Sequence, residues 1–351
     1  MEDSTTTTII SADEIAHEFL PLLRVYKDGT VHRLHSTPPV PPSLFSTTTA
    51  VSSKDLTISP TTGVTARIYL PPLTTTTKLP ILVYFHGGGF CVGSAFSATN
   101  HRYLTTLSSQ STALAVSIEY RLAPEHPLPT AYHDSWAALQ WVASHYAGDG
   151  GERWLNDHGD FNRVFVGGDS AGGNIAHNMA MKAGRERLPN GVRILGVIAA
   201  HPYFWGADPI GSDTVSGHED RMGSRLWKFV YPVCPGGLDD PTINPCGPGA
   251  PSLAGLGCSR LLVCVAEKDA LRERNVKYYE AVRDSGWVGE VELYEAEGEE
   301  HVFHISNPES ENTKIMLKRL KEEKRREREE RREKEKMEMV MAEEEEKEDR
   351  R

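Results

Sequence analysis

The feature that most constrains this chain is a set of short, almost wholly apolar runs that end in glycine. Leu79–Phe85 (LPILVYF) leads directly into HGGGF, and Arg163–Gly168 (RVFVGG) leads directly into DSAGGN. A strand that is apolar at consecutive rather than alternate positions has both faces buried, which is the condition of a strand inside a mostly parallel sheet. The same reading predicts further strands at Val64–Leu70, Ala113–Glu119, Ile194–Ala200, Leu261–Ala266 and Glu290–Tyr294. Between them, Asp134–Tyr146, Ala171–Ala183 and Val276–Ser285 carry helical periodicity. Strands alternating with helices predict an α/β domain with helices on both faces of the sheet, and 39% apolar residues suffice for its core. No internal repeat interrupts the pattern.

Four segments stand outside this alternation. Residues 1–12 are rich in Thr and Ser and read as mobile; Ser11 to Glu14 (SADE) has the form of a capping box, and Ile15, Phe19, Leu20, Leu22 and Leu23 then predict one short helix. Thr37–Ser43 (TPPVPPS) reads as an extended linker. Tyr203–Pro248, rich in Gly, Pro and aromatics, reads as an insertion over one sheet edge with a helix near Ser224–Tyr231. In the tail, Lys321–Arg351, 26 of 31 residues are charged, so it forms either a solvated helix held by i,i+4 ion pairs or a disordered run. The expected division is therefore 1–60 as N-terminal segment and linker, 61–320 as the α/β domain with its 203–248 insertion, and 321–351 as tail.

Chemistry concentrates where the strands end. Gly168-Asp-Ser-Ala-Gly172 matches G-x-S-x-G between an apolar strand and a helix, the arrangement of a nucleophile elbow. A Gly-rich phosphate loop would instead read G-x-G-x-x-G or end in Lys-Ser/Thr. The second motif, His86–Phe90 (HGGGF), supplies closely approaching backbone amides. The N–H groups of Gly88 and Gly89, with that of Ala171 after the nucleophile, are the candidate oxyanion hole. Beyond the strand Leu261–Ala266 stand two carboxylates, Glu267 and Asp269. Beyond Glu290–Tyr294, the polar loop Glu295–Glu300 leads to His301, placed for a base over the sheet edge, while His304 falls at the start of the next helix and is expected to pack or cap beside Asn307 and Pro308. The order Ser170, Asp or Glu, His301 is that of an α/β-hydrolase triad.

The remaining features bound the alternatives. A net charge of −11 argues against nucleic acid and anionic membranes as partners. Five cysteines without a C-x-x-C pair fit a reducing compartment. With neither a basic-then-apolar leader nor a run long enough to span a bilayer, the expectation is a cytoplasmic protein, with the nucleus also open to it. No H-E-x-x-H or comparable ligand cluster occurs, so no metal or cofactor is expected.

Taken together, HGGGF, SIEYRLAPEHP (Ser117–Pro127), GDSAGGN, AEKDALRER and GEEHVFHI resemble plant carboxylesterases of the hormone-sensitive-lipase-like α/β-hydrolase group, over roughly residues 15–320. The resemblance implies Ser170, Asp269 and His301 as catalytic, with Asp269 preferred to Glu267; Glu267 is then expected in a surface ion pair. It also implies that the N-terminal segment and the 203–248 insertion form a lid over the acyl pocket, and that a small-molecule ester is the substrate. The related gibberellin receptors share the fold and the serine but lack the histidine; its presence here ranks a small-molecule receptor below the hydrolase but keeps it as an alternative. Hydroxyisoflavanone dehydratases belong to the same group, so a lyase remains an alternative to hydrolysis. One departure stands out: the last helix begins with Ile315, Met316, Leu317 and Leu320 but continues as LKEEKRRERE, which predicts a short or poorly docked final helix.

Overall fold

The computed structural model describes residues 14–319 apart from 36, 45, 47–48, 74–75 and 212–216. Residues 1–13, with most of the predicted capping box, and the charged tail 321–351 lie outside the described residues.

The chain begins with strands, not a helix. β1 (Ile15–Phe19), β2 (Leu23–Tyr26) and β3 (Val31–Arg33) form a three-stranded antiparallel sheet. The prediction of a helix from Ile15 is thus corrected. Pro21 breaks the segment where a helix would need a backbone donor. Leu23 and Val25 are buried on either side of the more exposed Arg24, as in a strand, and Phe19 packs on Phe229 of the insertion at a ring distance of 4.7 Å. The proline-rich linker that follows is extended as expected but is tied down, with Val40 N–H donating to Phe96 O at 2.9 Å.

The remaining strands are β4 (Ser52–Ser59), β5 (Val64–Leu70), β6 (Leu79–Phe85), β7 (Leu114–Glu119), β8 (Gly159–Asp169), β9 (Ile194–Ala200), β10 (Arg260–Ala266) and β11 (Glu290–Ala296). They form one eight-stranded sheet in the order β11-β10-β9-β8-β6-β7-β5-β4. From β7 through β11 the pairing is parallel, while β4 and β5 are antiparallel additions at one edge. The predicted α/β architecture with a mostly parallel sheet is observed.

Successive residues of β6 enter different cores, as consecutive apolarity demands. Ile81, Val83 and Phe85 join one cluster, Leu82 and Tyr84 the other. Among the described residues the named helices are α1 (Ala98–Ser111), α2 (Thr130–Ser144), α3 (Arg153–His158), α4 (Ala171–Ala183), α5 (Met222–Val230), α6 (Arg272–Asp284) and α7 (Phe303–Ser306), with a further helical run at 311–319. The first cluster gathers α2, α4 and α6; the second gathers α1, Phe303 and the helical residues 311–319. That last helix is docked, because Met316 and Leu317 are 0% and 2% exposed, so the expected poor docking does not hold for its described part.

The insertion contributes α5. Its Arg225 donates to Glu18 O of β1, and its Leu226 reaches the glycine loop after β6, where a Cβ on Gly89 would come within 2.7 Å of Leu226 Cδ2.

Candidate active site

In an open parallel sheet, functional groups gather at the carboxyl ends of strands, at the point where chain order reverses. Here β6 pairs with β7 on one side and β8 on the other, and Phe85 is in register with Gly168. That register sets His86–Gly89 against Asp169 and Ser170. The approach is close: a Cβ on Gly172 would lie 1.9 Å from Phe85 O, so only glycine fits there.

Ser170 caps α4 with φ 52° and ψ −115°. Positive φ in a non-glycine residue is strained, and it persists because surrounding bonds fix it. Ser170 N–H donates to Ala200 O at 2.9 Å, and Ser170 O accepts from Tyr203 N at 2.9 Å and Asn174 N at 3.0 Å. The strain turns the side chain up from the sheet, where Oγ meets His301 Nε2 at 3.0 Å.

His301 follows β11, and the next residue, β-branched Val302, also has positive φ, 51°. Its Nδ1 lies 2.7 Å from Asp269 Oδ2. Nδ1–H donates to the carboxylate, so the Nε2 lone pair faces the serine hydroxyl and accepts its hydrogen bond. Asp269 Oδ1 accepts from Leu271 N at 2.8 Å. Burial of Asp269 opposes its ionisation, but the hydrogen bonds from His201 and His301 outweigh it and hold the carboxyl well below the usual carboxylate range.

The glycine loop is held from beneath. Tyr120 donates to His86 O at 2.6 Å and stacks on the His86 ring at 4.3 Å. Burial pushes His86 down to about 4, leaving it neutral. Gly88 has φ 113° and Gly89 φ 59°, and Gly88 O accepts from the amides of Cys91 and Val92. Asp169, raised by burial, accepts from Tyr84 O–H at 2.7 Å. Further back, burial pushes Glu119 up to about 7 while it accepts from Ala95 N and Ser94 Oγ.

Ser170, Asp269 and His301 therefore stand in one hydrogen-bonded line, with Ala171 opening α4 behind the serine and Gly88 and Gly89 on the loop beside it. One expectation needs correction. Glu267 makes no surface ion pair among the described residues; its Oε2 accepts from Gly298 N at 2.7 Å, tethering the loop that carries His301. His304 takes the packing alternative rather than the capping one: it is fully buried and stacks on His201 at 5.5 Å, with Tyr103 at 5.0 Å. The residue that sequence reasoning missed is His201. It ends β9 as Ser170 ends β8, and its Nδ1 lies 3.3 Å from Asp269 Oδ2. Its position after an apolar run was the available signal. Among the described residues, His201, Asp269 and His301 are the one trio spaced to hold a metal ion, and their facing atoms are engaged with one another. No helix among the described residues is long and apolar enough to cross a membrane.

The sequence profile of the family described as alpha/beta hydrolase fold matches residues 82–305. The chain is 55% identical to a 2-hydroxyisoflavanone dehydratase of Glycyrrhiza echinata over 91% of its own length and 98% of that protein's. It is 45% identical to the Arabidopsis thaliana protein named probable carboxylesterase 5, over 88% and 98% of the two chains. Among solved structures, a hyperthermophilic esterase from the archaeon Pyrobaculum calidifontis superposes with a TM-score of 0.62 at 28% identity, covering 77% of this chain and 85% of that one. Strand order, elbow and relatives lead to one conclusion: the chain belongs to the α/β-hydrolase family, in the group that holds plant carboxylesterases and 2-hydroxyisoflavanone dehydratases.

Proposed function

We propose that the protein is a serine carboxylester hydrolase acting on small to medium, largely apolar esters through an acyl-enzyme. The observation that carries this reading is the line from Ser170 Oγ through His301 to Asp269, with contacts of 3.0 and 2.7 Å. Ser170 attacks the ester carbonyl while His301 Nε2 takes its proton, and Asp269 orients the imidazole and stabilises its charged form. The amides of Gly88, Gly89 and Ala171 receive the oxyanion. The tetrahedral adduct collapses, His301 returns the proton to the departing alcohol, and water repeats the sequence on the acyl-serine. The N-terminal sheet and α5 serve as the lid; Leu22 and Leu226, both beside Gly89, favour an apolar substrate there.

A second reading has its own support, the 55% identity to a dehydratase: the same pocket would hold a 2-hydroxyisoflavanone and expel water from it. One experiment separates the two. A stoichiometric burst of p-nitrophenol from p-nitrophenyl esters, followed by turnover across an acyl-length series, supports the hydrolase. Elimination from a 2-hydroxyisoflavanone that far outruns every ester supports the lyase. A binding protein without chemistry gives neither.

A further inference from the structure

His201 takes no part in the proton transfers above, yet it touches the group that steers them. It follows β9, between the strands that deliver Ser170 and Asp269. Its ring is fully buried, and its backbone has φ 48° while its N–H donates to Cys264 O at 2.8 Å. Histidine tolerates that conformation better than most side chains, but it remains a strained one. The effect is to turn the ring toward Asp269. Nδ1 lies 3.3 Å from Oδ2, the same oxygen that receives His301 Nδ1–H at 2.7 Å, while the His201 ring stands nearly perpendicular to that of His301 at 5.7 Å.

The tautomer follows from these contacts. Burial holds His201 below the ordinary histidine range, so it is neutral and carries one N–H. Placing that proton on Nε2 would leave a buried donor with no protein partner and aim the Nδ1 lone pair at a carboxylate. Placing it on Nδ1 satisfies both groups. Asp269 is thus held at three points: two imidazole donors on Oδ2 and the Leu271 amide on Oδ1.

We infer that His201 is a positioning residue for the proposed hydrolysis: its Nδ1–H pins the Asp269 carboxylate and shares its charge, keeping His301 neutral and able to accept the Ser170 proton. A ring that merely filled space between the sheet and α7 would need neither the strained backbone nor a nitrogen on Oδ2. The inference rests on the hydrolase reading above. The groups facing His301 are Asp169 and Ser170 from β8, His201 from β9, Asp269 beyond β10 and His304 from α7. Of these, Asp269 is the charge that His201 modulates.

The test is the pH dependence of kcat/KM for a p-nitrophenyl ester. In His201→Phe the ring remains and the donor is lost, so the buried carboxylate draws more on His301 and favours its protonated form. The acid limb moves upward by at least about half a pH unit, a roughly threefold change in the proton equilibrium. KM stays within about twofold while plateau kcat falls, since positioning acts on the transition state more than on binding. His201→Asn, which restores an N–H donor and tolerates positive φ, returns the limb to the parent position. His304→Phe, which alters the same stack without touching Asp269, leaves the limb in place whatever it does to the melting temperature. Coincident limbs in the parent and His201→Phe overturn the inference and leave a structural ring. Should His201→Phe not fold, ¹⁵N-histidine spectra of the parent decide: the Nδ1–H tautomer at His201 supports the inference and the Nε2–H tautomer overturns it. A parent protein without an acyl-enzyme burst fails the hydrolase reading instead, and the spectra still report the tautomer.

Discussion

Each residue proposed for the chemistry is held by something other than its partner in the reaction. Ser170 is fixed by three backbone hydrogen bonds, His301 by the loop that Glu267 tethers, and Asp269 by Leu271 and His201. Single changes should therefore be local in effect. Ser170→Ala is expected to abolish both turnover and fluorophosphonate labelling in protein whose circular dichroism is unchanged; labelling that persists would place the nucleophile elsewhere. His301→Ala should cut kcat by roughly 10³–10⁶-fold, the cost of removing a general base from such a unit. His304→Phe keeps a ring against His201 and Tyr103 and should leave kcat/KM within about tenfold, any loss coming through stability. Near-normal turnover in His301→Ala, or a dead His304→Phe, would reverse the roles of the two histidines.

Elements set the precision with which those residues meet. The glycine loop is shaped by its neighbours, so its two central glycines should respond differently to the same methyl group. At Gly88, with φ 113°, a Cβ would lie 2.1 Å from Val92 O, a backbone atom that cannot yield. At Gly89, with φ 59°, it would meet the end of the Leu226 side chain at 2.7 Å, which can turn aside. Gly88→Ala should thus lower kcat by about 10²–10³-fold, the typical cost of losing an oxyanion donor, with a melting point lowered as well. Gly89→Ala should cost clearly less in kcat and more in KM, because the displaced Leu226 belongs to the proposed lid. Steady-state kinetics of the pair decides the matter, and equal kcat values at parental level would mean the loop is only a turn.

At the scale of the molecule, the sheet ends one strand in an acid that is only partly exposed, its side chain 27% accessible. Glu119, at the end of β7, titrates at about 7 when folded against an ordinary 4.5. The folded protein therefore keeps a proton that the unfolded chain releases, so this contribution to stability is complete below about pH 4.5 and lost as pH rises through 7. Glu119→Gln remains neutral throughout. Its melting temperature should run parallel to the parent's below that range and gain on it up to neutral pH; a constant offset across the range would sink the assignment. The charged tail bears on the whole molecule differently. Residues 321–351 have too little apolar content to add a packed core, so their deletion should leave kcat/KM within about threefold, with at most a modest fall in melting temperature. Loss of activity in folded, truncated protein would contradict this.

The sequence by itself determined the α/β architecture, because runs such as LPILVYF bury both faces and only a sheet covered on both sides satisfies them. It also marked where the candidate nucleophile and the candidate oxyanion loop stand, since the apolar runs ending at Gly168 and at His86–Gly89 mark strand-end turns, whereas Asp269 was preferred to Glu267 only through the family resemblance. The N-terminal sheet was only partly legible: Pro21 tells against a helix through Leu23, but the apolar residues alone do not specify three strands, which pack on α5 through Phe19 and Glu18. α1 was not legible, because its stripe of Tyr103, Leu104 and Leu107 is short and set among Ser and Thr. Only the tertiary structure brought His201 to Asp269 and turned His304 away from both Ser170 and solvent. Two strand ends separated by 68 residues meet only through the order of strands in the sheet, and no local pattern encodes that order.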